Sequence, residues 1–224
     1  MLRKYSLFPT FQDFIGFFTW FAYKTDNYLY IYTNILKKYG SNYHIIYCTH
    51  PFWDWVLNNF RQTIVIPGNH EFYIGGDVGT IKNGCIVEIR SNVKGYYNTV
   101  VTVDDVDFIL CTLWAFIQSE NAFITQKNVY DFYQIAYNGR LLNPHVFNQA
   151  HQEAVTFLMN AVIVNGSKKI IVVSHHVPTE LCKAEEFKKT VVLMEPLLPN
   201  CTNLFSTTKK ITGFTDIRKE TSLK

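Results

Sequence analysis

Apolar and polar positions alternate in short runs along this chain, and the runs stop at Gly, Pro, Asn and Asp. Tyr28-Leu29-Tyr30-Ile31-Tyr32 reads as a strand, residues 52–60 as a helix with Phe52, Trp55, Val56 and Phe60 on one side, and residues 63–66 as another strand. Strand, helix, strand in that order is the rhythm of a right-handed parallel crossover. Residues 85–90, 96–103 and 106–116, with a turn at Asp104-Asp105, alternate as an antiparallel meander would. Asn143 is a candidate N-cap with Pro144 at the first helical position. Phe147, His151, Ala154, Leu158 and Ala161 then come at helical spacing, which sets His151 against the core. Gly166 closes that helix, and residues 168–174 form a further apolar strand. Near the start, Phe8, Phe11, Phe14, Phe18 and Phe21 recur at three- and four-residue steps, a helical stripe that Pro9 and Gly16 would keep short. Residues 199–224 are Thr- and Lys-rich and weakly patterned.

Composition narrows the class. At 224 residues, 48% apolar and 17% charged, the chain suits one compact domain with a sizeable core. A net charge of +3 with no basic run gives no footprint for nucleic acid or a membrane surface. Five cysteines (Cys48, Cys85, Cys111, Cys182 and Cys201) lie scattered without C-x-x-C, as reduced thiols of a cytoplasmic protein would, with Cys111 a packed core thiol. The apolar stretch 14–23 is shorter than the roughly 20 residues a bilayer needs, and no small-x-small cleavage site comes after it.

The chemistry sits at two strand ends. Ile64-Val65-Ile66 stops at Pro67-Gly68 and is followed by Asn69-His70-Glu71, an amide, an imidazole and a carboxylate. Ile170-Ile171-Val172-Val173-Ser174 leads straight into His175-His176-Val177-Pro178. Open α/β sheets present chemistry at the carboxyl ends of their strands, so both runs are candidates for one shared site. As a purely structural turn, Asn69 would tolerate a left-handed backbone and His70 would cap the next element.

Gly68-Asn69-His70-Glu71 after a Val/Ile strand, with Ser174-His175-His176-Val177-Pro178 after a second one, resembles two signature blocks of the calcineurin-like metallophosphoesterases. Pro51-Phe52-Trp53-Asp54-Trp55, Thr112-Leu113-Trp114, and Asp131-Phe132 ahead of an Asn-Gly turn are similar to its bacterial branch. The resemblance covers residues 51–187 and implies one four-layer α/β/β/α sandwich of two mixed sheets over residues 1–224, with the ends 1–25 and 200–224 poorly matched. It implies a divalent metal cofactor (Mn, Fe, Zn or Mg) and a phosphate-ester substrate. Carried over residue by residue, Asn69 and His175 become ligands of the second metal, with His176 the alternative of the pair. His70 becomes the catalytic group that touches the phosphate or protonates the leaving alkoxide, and Glu71 an orienting partner.

The chain also departs from that pattern. The family's first Asp-x-His falls near Thr10-Phe11-Gln12, and its metal-bridging Asp becomes Asn34. No histidine occurs after His176, so the terminal Gly-His-x-His is absent. A neutral amide cannot hold two cations together as a carboxylate does. The Arg expected after Asp131-Phe132 is Tyr133. The expectation is therefore a phosphoesterase-like hydrolase with an impaired dinuclear site that binds metal weakly. The alternatives are a non-catalytic binding protein on the same fold, or the product of a damaged gene.

Overall fold

The computed structural model describes residues 48–49, 51–73, 76–165, 169–176 and 178, and the backbone of three further strands. In chain order these are β1 (Phe21–Thr25), β2 (Tyr28–Tyr32), α1 (Phe52–Asn59), β3 (Gln62–Ile66), β4 (Cys85–Arg90), β5 (Val93–Tyr97), β6 (Thr99–Val103), β7 (Val106–Cys111), α2 (Ala122–Asn128), α3 (Asp131–Gln134), β8 (Ala136–Tyr137), β9 (Arg140–Leu141), α4 (Pro144–Asn165), β10 (Lys169–Ser174) and β11 (Ile211–Thr215). Among the described residues the strands form two mixed sheets, ordered β1-β2-β3-β5-β4 and β11-β10-β7-β6, and a ribbon, β8-β9. The protein is a mixed α/β fold.

The expected parallel crossover is present. β2 and β3 run parallel, with Tyr30 opposite Ile64 and Tyr32 opposite Ile66. In the second sheet β10 runs parallel to β7, with Ser174 opposite Cys111. Period-two alternation then sorts the side chains. Ile64 and Ile66 share one apolar cluster with Phe108, Leu110, Ile171 and Val173, so residues of both sheets meet there. Val65 turns the other way, into a cluster with Phe52, Trp53 and Val56 of α1. Ile109, Cys111, Ile170 and Val172 likewise pack with Ala154, Leu158 and Ala161 of α4. Asn143 caps α4 as its sequence position predicts, its Oδ1 accepting from the Val146 N–H at 3.1 Å.

Four expectations change. Residues 96–103 are not one strand: Asn98, at φ 44°, ends β5 in one sheet and starts β6 in the other. Asparagine tolerates that left-handed backbone, and the alternating pattern on either side of it hides the break. Residues 106–116 do not continue as a strand either, because β7 stops at Cys111 and Leu113 turns the chain at φ 51°. Phe21 belongs to strand β1 and not to a helical stripe, while Phe8 to Phe18 lie outside the described residues. The weakly patterned tail supplies β11, parallel to β10. No described helix is long and apolar enough to cross a membrane.

Candidate active site

Three strand ends build the site. β3 runs out at Ile66 into Pro67-Gly68-Asn69, β10 runs out at Ser174 into His175, and β7 runs out at Cys111 into Thr112. Thr112 joins the other two. Its hydroxyl donates to the Pro67 carbonyl at 2.9 Å, and its own carbonyl accepts from the His175 and His176 N–H groups at 3.2 and 3.0 Å. The next residue is Leu113, fully buried and held at positive φ. Such a backbone costs about 1–3 kcal/mol and persists where surrounding packing enforces it.

Asn69 opens a single 3₁₀ turn, Asn69–Phe72, and is 1% exposed. Its Nδ2 donates to Asp131 Oδ1 at 2.9 Å, which leaves its Oδ1 facing His175 Nε2 at 3.0 Å. In that contact the imidazole carries its proton on Nε2 and donates it, a tautomer assigned from the network. The two sequence blocks thus converge, across 106 residues of chain, on one hydrogen bond.

The adjacent histidine does something else. His176 is turned among aromatic rings, 5.7 Å from Trp114, 6.5 Å from Phe147 and 4.7 Å from His175, edge-on to the last. His70 is half-buried, its ring 4.4 Å from that of Tyr73. Glu71 reaches back to accept the Gly68 N–H at 2.6 Å, so it braces the turn's entrance. Asn34 and the Thr10-Phe11-Gln12 segment lie outside the described residues.

Two site residues carry roles that the sequence did not assign them. Asp131, 1% exposed at the start of α3, accepts from Asn69 and, through the same oxygen, from the Tyr73 hydroxyl at 2.5 Å. Tyr73 is 7% exposed. The available signal was Asp131-Phe132 itself, an acidic residue beside an apolar one ahead of the Asn138-Gly139 turn.

His151 is buried, as expected, with Nδ1 donating to the Trp114 carbonyl. Burial lowers its pKa, the Trp114 hydrogen bond opposes that shift, and the nearby His176 adds to it. Burial also pushes the Cys111 thiol up to about 12, which makes it an inert core group.

The donor set tests the fit for a metal. Adjacent ligands of an octahedral ion, each about 2.1 Å from it, stand about 3.0 Å apart, and Asn69 Oδ1 and His175 Nε2 are 3.0 Å apart. The same separation is a hydrogen bond in metal-free protein. Both donors are neutral, and Asp131 Oδ1 is engaged by Asn69 and Tyr73. Among the described residues no group of three or more His, Cys, Asp or Glu could hold a metal. Among the described residues the pair fits two adjacent positions of one ion's six and offers nothing for a second ion.

No protein-family model and no solved structure matches the chain. A curated protein it is similar to is the uncharacterized protein L509 of Acanthamoeba polyphaga mimivirus, 26% identical over 131 residues, which are 53% of this chain and 46% of that protein. The chain spans about half the length of the curated relative it matches.

Proposed function

We propose that this chain is a metallophosphoesterase-like hydrolase whose dinuclear centre is reduced to one half-site at Asn69 and His175. The observation that carries the reading is the 3.0 Å contact between those side chains at the ends of strands from two different sheets. The fold proposed with it is a four-layer α/β/β/α sandwich. Its support is the apolar cluster shared by the two sheets, with α1 packed beside Val65 and α4 beside Ile109 and Ile170.

A divalent ion bound there would supply Lewis-acid polarisation of a phosphate ester and a more acidic water. Asn69 and His175 would hold it. His70, half-buried against Tyr73, is the group in the same turn able to give a proton to a leaving oxygen. Hard cations favour several charged oxygens, so a neutral pair holds its ion weakly and activity is low.

Metal analysis of protein purified without chelator, beside p-nitrophenyl phosphate and bis-p-nitrophenyl phosphate assays with added Mn, tests this. Slow hydrolysis that rises with Mn and disappears in His175→Ala supports the reading. Hydrolysis unaffected by His175→Ala or Asn69→Ala would refute it.

A second reading, a non-catalytic binding protein, is favoured by exposed Phe123 on α2, Tyr130 just before α3, Tyr133 on α3 and Leu141 on β9. Absence of metal-dependent turnover together with stable oligomers in light scattering would select it.

A further inference from the structure

An asparagine amide is nearly symmetric in shape, and a half-turn about its last torsion exchanges oxygen for nitrogen. A site that needs the oxygen in one direction therefore needs a neighbour that accepts only the nitrogen. An ionised carboxylate is such a neighbour, since it accepts hydrogen bonds and donates none. Asp131 stands in that position, with its Oδ1 2.9 Å from Asn69 Nδ2, and both residues are 1% exposed. Flipping the amide would set Asn69 Oδ1 against the carboxylate, replacing an attractive contact with a repulsive one, and would force the His175 proton from Nε2 to Nδ1. The Tyr73 hydroxyl donates to the same Asp131 oxygen at 2.5 Å and holds the carboxylate in turn. Tyr73 comes from the loop that carries Asn69, and Asp131 from α3, 62 residues away. The short loop and the helix are thereby locked to each other at the amide.

We propose that Asp131, held by Tyr73, is a positioning residue: it fixes the Asn69 carbonyl oxygen toward His175, where a divalent cation would meet it once the His175 proton has moved from Nε2 to Nδ1. This rests on the reading of Asn69 and His175 as a half-site. Partners that orient a metal ligand from behind are commonly worth about 10–100-fold in metal affinity.

The test reads the Asn69 side-chain amide by NMR in metal-free protein, its signals identified by their loss in Asn69→Asp. In Asp131→Ala and Asp131→Leu the amide protons exchange with water roughly tenfold faster, the weight of one lost hydrogen bond. In the same variants Mn binding weakens about 10–100-fold. Asp131→Asn, whose oxygen only the Tyr73 hydroxyl holds toward the Asn69 amide, restores part of both. A folded Asp131→Ala or Asp131→Leu whose Asn69 amide exchanges as in the parent protein overturns the proposal. If neither folds, Tyr73→Phe decides: about threefold faster exchange, from a loosened acceptor, supports the proposal, and no change overturns it. Because the amide readout needs no metal, a parent protein that fails to bind Mn removes the functional reading and leaves this test intact.

Discussion

The imidazole of His175 lies where a side chain on residue 68 would stand: a Cβ built on Gly68 falls 2.5 Å from His175 Cε1 and 2.9 Å from Nε2. Glycine at that position is what lets two strand ends from different sheets close on each other. Gly68→Ala must push aside a ring that is only 6% exposed. We expect a loss of about 1–3 kcal/mol in urea unfolding, the usual cost of overpacking, with the Asn69–His175 contact broken. Unfolding curves and a crystal structure of the variant check both.

Metal should matter little to stability. At an Mn concentration equal to its dissociation constant, one ion held as proposed would stabilise the fold by about 0.4 kcal/mol, worth about 1 °C in melting temperature for a chain of this size. Chelation should therefore leave the melting curve almost in place. A drop of many degrees on adding EDTA would show a tight site that Asn69 and His175 alone do not build.

Acid should loosen the core at His151. Its pKa is lowered, chiefly by burial, so between its folded value and the ordinary value near 6.5 the unfolded chain binds more protons than the native one. The stability it contributes is complete above that ordinary value and falls as pH drops toward the folded one. Unfolding at pH 7.5 and 5.5 measures the loss. In His151→Gln the difference between the two pH values should shrink, whatever the variant's absolute stability.

The cluster between the sheets should dominate point-mutant energetics. Leu110 is fully buried there beside Ile64 and Ile171, and Leu110→Ala should cost about 2–5 kcal/mol. Phe123 is 70% exposed, and Phe123→Ala should fall within about 0.5 kcal/mol of the parent. At Asn98, with φ 44°, Gly should be tolerated and a β-branched residue should not. Circular dichroism melts of Asn98→Gly and Asn98→Val separate those outcomes.

Much of this architecture is written locally. Alternation marked Tyr28–Tyr32 and the apolar run before His175 as strands, and the Asn143-Pro144 start with its helical spacing marked α4 and put His151 inside. The polar residues just past Ile66 and Ser174 marked the two strand ends whose side chains meet in the Asn69–His175 hydrogen bond. A short-range pattern records such things, since each depends on neighbours within a turn or two.

Other features came only with the tertiary structure. Asn98 passes the chain from one sheet to the other inside what reads as a single alternating run. Of two adjacent histidines, His175 meets Asn69 while His176 turns in against Trp114; the family resemblance preferred His175, and the packing of the strand end is what separates them. Asp131 and Asn69, 62 residues apart, pair because α3 packs beside the turn that carries Asn69. Sequence states which face of each element is apolar. Which distant element that face meets, and so which way a polar side chain at its edge must point, is set by how the sheets and helices pack.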